Sequence, residues 1–131
     1  MRRHVGGVGK AALAPVNVNY RYRAEELRYL LENADAEFVI VHEEFAPLLA
    51  SVRSELPKLR AVLVVREPGS TASARDLGGD DYETIVGTPR ALPPVMRSPE
   101  DLLLLYTGGT TGMPKGVMWR QHDLYFRFAG G

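Results

Sequence analysis

Apolar residues follow two rhythms along this chain, and their alternation predicts an α/β fold. From Ala24 to Asn33, Leu27, Leu30 and Leu31, continued by Ala34, fall at i, i+3, i+4 and i+7, the stripe one helix face buries. Glu25 and Glu26 open that stretch, where the helix dipole favours negative charge, and Asn33 and Asp35 offer a stop. Phe38–His42 (FVIVH) and Ala61–Val65 (AVLVV) are unbroken apolar runs, which predicts strands covered on both faces. Between them, Phe45 to Leu56 reads as a second helix through Leu48, Leu49 and Val52, closed by Pro57. Strand and helix in such succession predict βαβ crossovers and a parallel sheet with flanking helices.

The remaining segments are shorter. Ala12 to Val18 (ALAPVNV) reads as a strand in which Pro15 costs one ladder bond, so an edge or a bend is expected. Glu67 to Gly79 is small and polar, an exposed loop, and Asp80 to Val86 a short helix that the aspartates start. Residues 87–99 hold Pro89, Pro93, Pro94 and Pro99 and read as an extended connection. Leu102–Leu105 (LLLL) predicts a buried strand leading into Tyr106, Val117–Trp119 the next strand, and Asp123–Phe128 the opening of a helix.

Composition narrows the class. The 131 residues are 45% hydrophobic and 24% charged, the balance of a soluble globular protein. Sixteen basic and 16 acidic residues cancel, which removes a general electrostatic case for nucleic acid or an anionic membrane. The absence of cysteine excludes disulfides, thiolate metal sites and cysteine nucleophiles. No apolar run approaches the ~20 residues of a membrane span, and Met1 to Lys10 lack the apolar core of a secretory signal. These features point to a soluble protein of the cytoplasm.

One segment carries chemistry. Thr107-Gly108-Gly109-Thr110-Thr111-Gly112-Met113-Pro114-Lys115-Gly116 combines what a polyphosphate requires. Gly108, Gly109, Gly112 and Gly116 let successive N–H groups turn inward, Thr107, Thr110 and Thr111 add hydroxyl donors, and Lys115 adds a mobile point charge. Pro114 restrains the approach to that lysine. A Walker A loop is excluded, because Lys115 follows Pro114 rather than a glycine, and Gly116 replaces the Ser/Thr. The dinucleotide-binding G-x-G-x-x-G spacing is also absent.

Tyr106 to Gly116, YTGGTTGMPKG, resembles the phosphate loop of the adenylate-forming (AMP-binding) superfamily, Y-T-(S/G)-G-(S/T)-T-G-x-P-K-G, at every defined position. That superfamily includes acyl-CoA synthetases, luciferases and peptide-synthetase adenylation domains. Upstream, Ala14 to Leu31 resembles the part of fatty-acyl-CoA synthetases where a strand ending in P-x-N precedes the first long helix. The resemblance covers residues 10–128, is weakest over 67–97, and leaves 1–9 outside.

The resemblance implies part of the large N-terminal domain of an adenylate-forming ligase, with residues 106–116 as its phosphate loop and 87–99 as a proline-rich connection. It implies an acid-CoA ligase that joins a fatty or related carboxylic acid to ATP as acyl-AMP and transfers the acyl group to coenzyme A, with magnesium assisting. By matching position, Thr107, Gly108, Gly109, Thr110, Thr111, Gly112 and Lys115 would hold the β- and γ-phosphates. It places no catalytic residue and no metal ligand within the chain. The adenine, ribose and magnesium contacts and the C-terminal lysine of the family are missing, so the chain is expected to be a fragment without turnover of its own, with apolar faces open to self-association. The competing readings are a phosphate- or nucleotide-binding module without catalysis and a truncated gene product without function. Tyr106 either orients the loop or packs beneath it. His122 reads as a helix start, Trp119 as a strand aromatic, and His4 and His42 have no metal-ligand partner at useful spacing.

Overall fold

The computed structural model describes residues 13–88, 91, 94, 96, 98–108 and 112–128. They fall into two compact units, one within Asn19–Arg90 and one combining Met1–Val18 with Ala91–Gly131.

The first unit is a small α/β layer. Helix α1, Ala24–Asn33, forms where the leucine stripe predicts it, and Leu27, Leu30 and Leu31 are its buried residues. Its first turn is fixed by Glu26, whose Oε2 accepts the Arg23 N–H at 2.9 Å. It ends because Asp35 takes a left-handed φ of 50°, and Ala36 N–H then donates back to the Leu31 carbonyl at 2.9 Å. That is the return bond of a left-handed C-terminal cap.

Strand β1, Phe38–His42, and strand β2, Ala61–Val65, pair in parallel from Phe38 opposite Ala61 to His42 opposite Val65. Helix α2, Ala46–Val52, lies between them in sequence and packs against α1. The apolar stretch 45–56 is thus a helix only in its middle, with short 3-10 turns at Glu43–Phe45 and Arg53–Glu55. Strand β3, Asp80–Asp81, adds in parallel to β2, and helix α3, Tyr82–Val86, follows. Asp81 caps α3, its Oδ1 accepting from Thr84 N–H at 2.8 Å and Thr84 Oγ1 at 2.9 Å.

The core of this unit is Tyr22, Leu27, Leu30, Leu31, Ala46, Leu49, Val52, Leu56, Leu59, Val62, Val64 and Ala74. Burying one such leucine or valine side chain contributes about 1.5–3 kcal/mol. The expectation that β1 is covered on both faces fails. Phe38 is 37% and Ile40 50% exposed, whereas Val62 and Val64 on β2 are buried. An unbroken apolar run shows that both faces tolerate burial, not that a covering layer is present.

The second unit is built on an antiparallel pair. Strand β4, Leu102–Thr107, and strand β5, Lys115–Arg120, run from Leu102 opposite Arg120 to Thr107 opposite Lys115. The parallel sheet read from the sequence belongs to the first unit alone. Of the four leucines, only Leu104 is buried and the others are half-buried. The expected strand near residue 15 reduces, among the described residues, to a single parallel bridge between Val16 and Leu104, with the Leu104 N–H donating to the Pro15 carbonyl at 3.1 Å. Proline lacks only a donor, so its carbonyl still accepts.

Helix α4, Gln121–Phe128, continues directly from β5. Its start is tied to the turn before β4. Gln121 N–H donates to the Asp101 carbonyl at 2.7 Å and His122 N–H to the Pro99 carbonyl at 3.1 Å. The buried Asp101 carboxylate accepts the Ser98 N–H at 3.0 Å. Arg120 forks onto Asp123, at 2.7 and 3.1 Å, and reaches Glu100 at 3.3 Å. His122 is therefore a helix-start residue, and Trp119 packs edge-on against Phe128 with ring centroids 6.0 Å apart.

Candidate functional site

The leucine-rich strand β4 delivers its last two residues to opposite faces, because side chains alternate along a strand. Tyr106 turns inward and is 6% exposed, while Thr107 is exposed. Directly paired residues of an antiparallel ladder share a face and stand about 4.5–5.5 Å apart. Thr107 and Lys115 are such a pair. The hydroxyl and the ammonium therefore leave the hairpin from the same side, at the mouth of the loop.

Both partners are held from below. Tyr106 is opposite Gly116, and its ring fills the space where a side chain at 116 would go. The ring thus packs against Gly116, the residue after Lys115. Pro114, the residue before Lys115, is among the largest fully buried side chains and anchors the returning arm there. Lys115 itself is exposed, and no ion pair to it is found among the described residues. Gly112 has a φ of 131°, a region that L side chains rarely adopt, so the returning arm of the loop requires glycine there.

Of the residues expected to hold phosphate, Thr107, Gly108, Gly112 and Lys115 are thus at or beside the hairpin mouth, all exposed. Gly109, Thr110 and Thr111 lie outside the described residues. No group of three or more His, Cys, Asp or Glu side chains able to hold a metal comes together among the described residues. What the described part of the loop offers is one ammonium, one hydroxyl and main-chain donors.

A cavity of about 520 Å³ lies in the first unit, lined by His42, Glu43, Glu44, Glu67, Ser70 and neighbouring loop residues. Its chemistry opposes an anion. Glu43 accepts from the Ser70 hydroxyl at 2.6 Å and from Glu67 N–H at 3.2 Å, and His42 Nε2 is 3.0 Å from Glu67 Oε1. The Ser70 hydroxyl, then the Glu67 amide and the nearby His42 and Arg66, hold the Glu43 carboxyl below its usual range. These contacts latch the loop after β2 onto the end of β1. Sequence reading left His42 without a role, since its partner is 25 positions away in a loop with no fixed spacing.

A parallel sheet with flanking helices, together with a hairpin carrying YTGGTTGMPKG, defines an α/β protein of the adenylate-forming class. The chain belongs to the AMP-binding enzyme family, which matches residues 5–130. It is 46% identical over 128 residues to the medium-chain acyl-CoA ligase Mig of Mycobacterium avium, an alignment covering 95% of this chain and 22% of that protein. It is 42% identical over 127 residues to a medium/long-chain-fatty-acid–CoA/3-oxocholest-4-en-26-oate–CoA ligase of Mycobacterium tuberculosis, covering 95% of this chain and 23% of the relative. Among solved structures, the anthranilate CoA ligase AuaEII in complex with anthranoyl-AMP superposes with a TM-score of 0.74 at 31% identity, over 90% of this chain and 22% of that one. The chain thus spans between a fifth and a quarter of the length of these relatives. Among the described residues, no helix is long and apolar enough to cross a membrane.

Proposed function

We propose that this chain supplies the nucleotide-phosphate grip of an ATP-dependent acyl-CoA ligase. The observation that carries the reading is the pairing of Thr107 with Lys115, both exposed, at the mouth of a loop whose returning arm uses a glycine-only backbone. The grip consists of Thr107, Gly108, Gly109, Thr110, Thr111, Gly112 and Lys115, directed at the β- and γ-phosphates of ATP. The acid is of the fatty or related type, which the medium-chain and sterol-side-chain acids in the relatives' names support.

Catalysis in this reading is positioning and charge stabilisation. A carboxylate oxygen attacks the α-phosphorus in line. The bond from that phosphorus to the oxygen bridging the β-phosphate breaks, and pyrophosphate leaves with the electron pair. Lys115 and the loop donors hold the departing group where its charge develops. The thiol of coenzyme A then displaces AMP from the acyl adenylate. Removing one such contact commonly costs about 2–4 kcal/mol of transition-state stabilisation.

The 131 residues alone grip phosphate weakly and do not turn over. A polyphosphate tail offers far more charge to a single ammonium than a monophosphate does, so ATP binds and AMP does not. The test is incubation of the purified chain with ATP and octanoate, reading acyl-AMP and pyrophosphate, alongside ATP and AMP titrations followed by Trp119 fluorescence. ATP binding without acyl-AMP is expected. Acyl-AMP above a Lys115→Ala control overturns the inactivity, and equal affinity for AMP and ATP overturns the phosphate grip. In this reading the complete ligase works in the cytoplasm.

A further inference from the structure

The edge of β4 that leads into the loop is completed by a side chain. Val16 and Leu104 form a parallel bridge, with Leu104 N–H on the Pro15 carbonyl. In a regular parallel ladder the next amide on that edge, Tyr106 N–H, would donate to the main-chain carbonyl of residue 17. It donates instead to Asn17 Oδ1, at 3.3 Å. The carboxamide stands in for its own backbone carbonyl, so the ladder holds one step further while the main chain at 17 is free to leave it.

That step falls one residue before Thr107. Successive amides of a strand point to opposite edges, so Tyr106 N–H faces the 13–18 segment while the other edge of β4 pairs with β5. Asn17 thus holds Tyr106 on the 13–18 edge while β5 holds the strand on the other.

We propose that Asn17 is a positioning residue for the phosphate loop: by accepting the Tyr106 N–H it clamps the outer edge of β4 and sets the register in which Thr107 and Lys115 address one anion. This rests on the phosphate-grip reading above. Asn17 acts through Tyr106 and needs no contact with phosphate. Its own bridge partner segment is already secured by Val16 and Leu104, which separates this role from general support of the fold.

The test uses the whole chain, with inorganic tripolyphosphate as the probe, and compares wild type, Asn17→Ala and Asn17→Asp by amide hydrogen exchange and by titration. Asn17→Ala is expected to speed exchange of Tyr106 N–H about fivefold and to weaken tripolyphosphate binding by a similar factor, with Leu104 N–H still protected. Asn17→Asp, which keeps the acceptor, restores Tyr106 protection. Unchanged Tyr106 exchange or unchanged binding in Asn17→Ala overturns the inference. Loss of Leu104 protection as well also overturns it, because Asn17 would then be a general fold residue. Wild-type chain that shows no tripolyphosphate binding removes the phosphate grip itself, and the positioning role with it.

Discussion

The ring of Tyr106 lies so close over Gly116 that a Cβ at that glycine would stand 2.9 Å from the ring Cζ and 3.2 Å from both Cε atoms. The ring is 6% exposed, and its strand is paired on β5, so it has little room to retreat. A single added methyl at a packed site typically costs about 1–3 kcal/mol.

Gly116→Ala is therefore expected to lower unfolding stability by about that amount. It is also expected to weaken phosphate binding, because Lys115 is the neighbouring residue. A double-mutant cycle with Tyr106→Leu, read by urea unfolding, checks the cause. The cost of Gly116→Ala should shrink when the ring is gone, and additive costs would show that the ring is not what the methyl meets.

How much of this was legible beforehand depends on the range of each contact. Helix α1 was readable because Leu27, Leu30 and Leu31 state their own spacing, and β1 and β2 because apolar runs of that length between helices fit a parallel sheet. The loop was readable as chemistry, since glycine, threonine and lysine need no tertiary information to be recognised as anion ligands. Its mounting was not. The Tyr106 bond to Asn17 joins residues 89 positions apart through a side chain that replaces a backbone group, and no periodicity records such a substitution. The exposed face of β1 is illegible in the sequence for a related reason: Phe38 and Ile40 declare their own apolarity, not the presence of a neighbour.

Leu30 of α1 is fully buried, on the helix that packs against α2. Leu30→Ala removes its side chain from a site closed on all sides and leaves a cavity. The expected loss is about 2–5 kcal/mol, large beside the total stability of a small domain. Chemical unfolding followed by circular dichroism measures it, and a loss below about 1 kcal/mol would mean that the helix is not packed as described.

Acid should destabilise the first unit through two carboxylates. The Thr84 amide, then the Arg66 guanidinium at 2.6 Å and the Thr84 hydroxyl, hold the Asp81 carboxyl below its usual value, as the Ser70 hydroxyl does for Glu43. A folded value below the unfolded one contributes stability that is fully present above the unfolded value, near 4, and is lost as pH falls through the folded one. Stability should thus be flat from pH 7 to about 5 and decline below about 4. Asp81→Asn should lower stability at pH 7 and flatten that decline. Urea midpoints across this range check it, and an unchanged acid slope in Asp81→Asn would assign the decline to other groups.

The ammonium of Lys115 facing the same side as Thr107 is the feature on which the proposed activity turns. Its most direct test is a tripolyphosphate titration of wild type, Lys115→Ala and Lys115→Arg at fixed ionic strength. Because a charged hydrogen bond contributes about 1.5–3 kcal/mol, Lys115→Ala should bind roughly ten- to hundredfold more weakly, with Lys115→Arg between the two. Equal affinity in wild type and Lys115→Ala would show that the polyphosphate is not held at this hairpin.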